Sequence, residues 1–86
     1  MRVVLPTPLA DYTGHRREVE AQGATLAQLV ADLDRRHPGI RFRIVDEQDR
    51  IRPHIKFFVD RVQAATLDIP LRGDEEVIVV AALSGG

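Results

Sequence analysis

A single amphipathic stripe, Leu26, Leu29, Val30 and Leu33, constrains this sequence more than any other feature. These positions stand at i, i+3, i+4 and i+7, so a helix turns all four to one side and leaves Gln28, Asp32 and Arg35 facing water. Thr25 before the stripe and Gln28 three residues later spell a capping box, in which each side chain satisfies a backbone N–H of the other. At the far end Arg35 and Arg36 suit the negative end of the helix dipole, Pro38 turns His37 out of helical geometry, and Gly39 accepts a left-handed turn. Such a helix needs an apolar layer to cover, and 86 residues hold one core only.

Strand signals supply that layer. Arg2 to Leu5 is a short β-branched run stopped by Pro6, and Arg16 to Ala21 alternates weakly, with Arg17, Val19 and Ala21 on one side; the two make a loose antiparallel hairpin. Between them Pro6 to Gly14 reads as a loop whose Leu9 and Tyr12, three apart as on a helical turn, fold back on the core. Ile40, Phe42 and Ile44 alternate with Arg41 and Arg43, which fits a strand, an extended segment or a helical turn. Asp46 to Asp49 is a polar turn. Ile55 to Val59 is a strand with Ile55, Phe57 and Val59 inward, leaving His54, Lys56, Phe58 and Asp60 on the other face, where Phe58 is a large apolar group among polar ones. Leu67 to Leu71 is irregular around Pro70, Gly73-Asp74 turns, and Val77 to Ala81 is apolar throughout, as suits a strand that is central or covered on both faces.

Composition removes several function classes. With 44% hydrophobic and 29% charged residues the chain is globular, and its longest apolar run, Val77 to Leu83, falls far short of the roughly 20 residues of a membrane span. Only three apolar residues follow Met1-Arg2 before Pro6, unlike a secretory signal, so the expected location is the cytoplasm, with no membrane partner. Zero cysteines exclude a disulfide scaffold, a thiolate zinc site and a cysteine nucleophile. A net charge of −1 disfavours nucleic acid. Charge is biased locally, with Arg41, Arg43, Arg50, Arg52, Lys56 and Arg61 preceding Asp68, Asp74, Glu75 and Glu76; the acidic group reads as a solubilising turn or a docking patch for a basic partner surface. The three histidines, His15, His37 and His54, lack metal-ligand spacing, so no metal site is expected. His54, Lys56 and Asp60 share a strand face without a nucleophile or a phosphate loop, so the chain is not expected to be an enzyme.

The sequence finishes Ala82-Leu83-Ser84-Gly85-Gly86. At a glycine usage of about 7%, two such glycines arise by chance on the order of 0.5% of the time. Residues 82–86, read as a flexible tail on a single domain 1–86, reach roughly 17 Å when extended, and glycine lets the backbone enter a narrow channel. A terminal carboxylate, ionised above a pKa of about 3.5, is a poor electrophile until activated, for instance as a mixed anhydride with AMP.

Leu5-Pro6, Tyr12-Thr13-Gly14, Thr25-Leu26, Asp32 to Gly39, Arg52-Pro53-His54, Phe58-Val59 and Ala82 to Gly86 together resemble the MoaD/ThiS family of sulfur carriers over essentially the whole chain. The resemblance implies an α+β fold of β-grasp, ubiquitin-like type: a mixed four- to five-stranded sheet with one main helix packed across it. It implies that a ubiquitin-activating-type enzyme adenylates Gly86, next to Gly85, consuming ATP while the carrier itself binds no cofactor. A persulfide or sulfide donor then supplies sulfur, and the thiocarboxylate serves a third protein in molybdopterin, thiamin or cysteine synthesis. Ser84, Leu83 and Phe58, joined by Ile78 or Val80 if they share its face, are the expected partner contacts. Two other classes stay open: a non-covalent adaptor with an inert tail, and a modifier joined to lysines. Similar proteins often carry Asn-Gly where this chain has Asp60-Arg61, which suggests another turn type, and Gly73 stands one residue further from Val77 than usual.

Overall fold

The computed structural model describes residues 1–82. Its strands are β1 (Arg2–Val4), β2 (Glu18–Glu20), β3 (Ile55–Val59), β4 (Val62–Ala64) and β5 (Val77–Ala81), in the sheet order β2-β1-β5-β3-β4. β1 pairs antiparallel with β2 and parallel with β5, and β5 pairs antiparallel with β3, so the last strand occupies the centre of the sheet. The main helix α1 (Leu26–Arg36) buries Leu26, Leu29, Val30 and Leu33 in one core with Val3, Phe57, Val77 and Val79. Burial stabilises by roughly 2 kcal/mol for each such side chain. This is the β-grasp arrangement expected. No described helix is long and apolar enough to cross a membrane.

Both ends of α1 are held by distant parts of the chain. Thr25 Oγ1 accepts from Gln28 N at 3.2 Å, while Gln28 Oε1 accepts from Ala24 N at 3.0 Å rather than from Thr25, so the capping box closes one residue early. Two further helix donors, Leu26 N and Ala27 N, are satisfied by the carbonyls of Ile69 and Leu67. The irregular stretch around Pro70 is thus the partner of donors that a helix start otherwise leaves unpaired. Asp32 is not the plain solvent-facing residue its spacing suggests. Its carboxylate accepts from Gln22 N at 2.8 Å, from Arg36 Nε at 2.9 Å and from Arg35. The two arginines therefore fold back on Asp32, beyond any interaction with the helix dipole.

Asp34 sets the path of the chain beyond α1. Its Oδ1 accepts from Gly39 N at 3.1 Å and Arg41 N at 3.0 Å, supplying from α1 the start of a second short helix, α2 (Ile40–Ile44). Gly39 takes φ 98°, the left-handed turn anticipated for it. Helical spacing buries Ile40 and Ile44 together and leaves Phe42 62% exposed, whereas a strand would have placed all three on one face. The segment from Pro6 to Gly14 is likewise a 3-10 helix, Thr7–Thr13, not a loop, with Leu9 buried and Tyr12 packed on the core as expected.

Two turn expectations are corrected. β4, which sequence patterning did not reveal, pairs with β3 through the two-residue turn Asp60-Arg61. Both turn residues lie in the left-handed region, φ 48° and 70°, so the primed hairpin geometry usual for Asn-Gly persists without glycine. The added residue before β5 turns Glu75 inward, where its carboxylate accepts from Arg72 N and Gly73 N. β5 has Val77 and Val79 buried but Val80 41% exposed, so it is central in the sheet and not covered on both faces.

Gly23, in the β2–α1 connection, lies against the helix backbone: a Cβ there would be 2.4 Å from Leu29 N. Backbone cannot yield as a side chain can, so Gly23→Ala should destabilise by roughly 2 kcal/mol or more, read as a lower urea midpoint. Asp32 is held at about 2, below its ordinary 3.8, chiefly by the Gln22 N–H and then by Arg35. The stability it contributes is full above about pH 4 and drains away as pH falls toward 2, because the unfolded chain takes up the proton first. Urea midpoints measured across this range should decline less steeply in Asp32→Asn, which should also be less stable at neutral pH.

Candidate functional site

The central position of β5 determines where Ala82, the last described residue, leaves the sheet. Ala82, directly after the strand, donates its N–H to the His54 carbonyl at 2.8 Å, which continues the β3–β5 ladder by one step. Beside it opens a cleft of about 400 Å³ walled by Leu9 and Tyr12 of the 3-10 helix, Arg43 of α2, His54, Ala81 and Ala82. Tyr12 Oη accepts from Arg43 Nε at 2.7 Å and so ties the 3-10 helix to α2. Gly39 permits this: a Cβ on it would come within 3.1 Å of the Tyr12 ring. Elsewhere on α2, Phe42 carries the Arg52 guanidinium stacked 4.8 Å from its ring centre, while Arg52 Nε donates to the Phe42 carbonyl at 2.7 Å.

The sheet face opposite α1 carries a second feature. Val4, Ile78 and Phe58 are paired across β1, β5 and β3, all half-buried, and Val80 extends the strip beside Lys56 toward Ala82. Phe58 is therefore not an isolated apolar group among polar ones. Ile78 and Val80 do share its face, and Val4 is an unforeseen third neighbour. Polar residues border the strip, with Gln63 on β4 next to Phe58 and an Arg2–Glu76 ion pair at the end remote from Ala82.

Of the residues expected to act, Phe58 lies on this strip, and Leu83, Ser84, Gly85 and Gly86 fall outside the described residues. Within the acidic group, Asp68 and Asp74 are exposed while Glu75 and Glu76 are engaged within the chain. Glu75 is buried, with its carboxyl held below the usual range chiefly by the Arg72 N–H, and Glu76 pairs with Arg2. Asp60 accepts from Glu76 N at 3.0 Å at the far end of β3 from His54, so the two do not form an acid–base set. No group of three or more potential ligands converges on a metal position among the described residues. The Tyr12–Arg43 contact escaped sequence reasoning because it joins residues 31 apart. The Phe42–Arg52 stack was hidden by the alternation that made residues 40–44 look extended.

Comparison with known proteins agrees with this architecture. The sulfur carrier protein CysO of Mycobacterium tuberculosis is 27% identical, across 98% of this chain and 96% of its own length. A chain in the crystal structure of the Amycolatopsis orientalis BexX/CysO complex superposes with a TM-score of 0.90 at 30% identity, covering 99% of this chain and 98% of that one. SAMP1, the small archaeal modifier protein of Haloferax volcanii, superposes with a TM-score of 0.76 at 26% identity, covering 100% and 98%. The family model described as ThiS family matches residues 3–86, so this chain belongs to the ThiS family of ubiquitin-like sulfur carriers.

Proposed function

We propose that the chain carries sulfur on the Gly86 carboxylate as a protein co-substrate, with no catalytic group of its own. In an adenylating enzyme of ubiquitin-activating type, a carboxylate oxygen of Gly86 attacks the α-phosphorus of ATP and displaces pyrophosphate. The resulting acyl adenylate exposes a carbon that hydrosulfide can attack, expelling AMP and leaving a thiocarboxylate. If a persulfide is the donor, the first product is an acyl disulfide, which a second thiol reduces to the same thiocarboxylate. A third protein then consumes the sulfur. The likeness to CysO carriers supports a CysO-type acceptor over a molybdopterin- or thiamin-type one.

The observation that carries this reading is the family match running through residue 86, on a fold whose central strand leads directly to those residues. Five residues after β5 hold small side chains apart from Leu83, and the two glycines place no Cβ in the path of a channel. The apolar strip of Phe58, Ile78 and Val80 supports docking on the same partner, since exposed apolar surface of this kind marks interaction sites. A second reading, conjugation to lysine amines, is favoured by the likeness to SAMP1, because the same acyl adenylate reacts with an amine as with sulfide.

Deleting Gly85 and Gly86 should abolish ATP–pyrophosphate exchange with the cognate adenylating enzyme while leaving the thermal midpoint within about 2 °C of wild type. Retained exchange would contradict the reading. Incubation with ATP and cell extract separates the two fates: conjugation yields heavier adducts on other proteins, and the carrier alone yields none.

A further inference from the structure

Resting on the activation of Gly86 and its capture by amines proposed above, the chain's own side chains single out one acceptor. An acyl adenylate passes its acyl group to an unprotonated amine, and this sequence holds few. Of its twelve lysines and arginines, Lys56 is the single lysine. A guanidinium keeps its proton in proteins and cannot serve, whereas a lysine ammonium can release one. The Met1 α-amino group is engaged in a buried position, donating to Glu20 Oε2 and to the Ala21 carbonyl at 3.0 Å each.

The fold leaves Lys56 open to a second molecule. It is exposed on β3, on the sheet face opposite α1. Directly across from it on β5 stands Val80, 41% exposed, and on the β4 side a cleft of about 130 Å³ is lined by Pro53, Gln63, Ala64 and Ala65. Arg41, Arg50 and Arg72 are held by carboxylates, but among the described residues no ion pair holds Lys56. Small neighbours on one side and an apolar strand on the other let a peptide backbone come close to its amine. The donor complements that surface, since Gly85 and Gly86 bring no Cβ to the contact.

We propose that Lys56 is the acceptor through which copies of this chain are joined to one another, Gly86 of one copy to Lys56 of the next. The unprotonated Nζ attacks the acyl carbon of the Gly86 adenylate. A C–N bond forms, the C–O bond to AMP breaks, AMP departs with that electron pair, and nitrogen releases its proton to solvent. Each copy has one donor and one acceptor, so the product is an unbranched chain of a single linkage.

The test is incubation of the full chain with ATP and the cognate adenylating enzyme, sulfide omitted, followed by denaturing electrophoresis and intact mass. Wild type should form dimers and longer products, each bond lowering the summed mass by one water. Trypsin should release from them a branched peptide that joins residues 51–61 to residues 73–86. Lys56→Arg keeps the charge, so it should hold ATP–pyrophosphate exchange within about twofold of wild type while losing every such product. Mixed with a copy lacking Gly85 and Gly86, Lys56→Arg should give one dimer and nothing longer, because one copy can only donate and the other only accept. Exchange without linked products, or linked products that persist in Lys56→Arg, overturns Lys56 as the acceptor while leaving the carrier reading intact. A wild-type chain that supports no exchange overturns both.

Discussion

Parallel pairing of β1 with β5 is the interaction on which the rest depends. It makes the last strand the middle of the sheet, so Val77 and Val79 join the core while the residues after Ala81 leave from the best-anchored element in the fold. Parallel neighbours require a long crossover, and here that crossover contains α1, α2 and the β3–β4 hairpin. The helix stripe buries its four apolar residues against the strands it connects. The strand that precedes the terminal residues is thus paired on both sides, by β1 and by β3.

Polar groups then lock the layers in register. Asp32 ties α1 to Gln22 and the β2–α1 connection, and Asp34 starts α2. The carbonyls of Leu67 and Ile69 complete the amino end of α1. These contacts explain the run from Asp32 to Gly39 structurally: both carboxylates accept backbone N–H groups, and Gly39 makes room for Tyr12. Because α2 and the 3-10 helix are fixed by this scaffold, Arg43 and Tyr12 meet in the cleft beside Ala82.

Much of this was legible from the sequence. The period of α1, its Thr25 cap, the β-branched runs at 55–59 and 77–81 and the closing Gly-Gly are local signals, and they lead to the fold and to the family. Residues 40–44 were ambiguous because five residues fit period 2 and period 3.6 equally; Asp34, six residues before Ile40, resolves the choice through two hydrogen bonds. β4 is short, lies at the edge and contains Gln63, so it lacks an apolar pattern. Glu75 looked solvating because its partners are backbone N–H groups, which no side-chain pattern reports. At the site, Phe58 could be found from strand alternation, but the pairs Tyr12–Arg43 and Phe42–Arg52 arise only when the helices pack.

Sheet, helix and terminal residues converge on one chemical claim, that the Gly86 carboxylate is the group on which sulfur travels. Intact-mass measurement after incubation with ATP, the cognate adenylating enzyme and sulfide tests it most directly. The account predicts a gain equal to the replacement of one oxygen by one sulfur, localised by fragmentation to Gly86 and absent without ATP. An unchanged mass under conditions where the enzyme activates a known carrier of its own would contradict it.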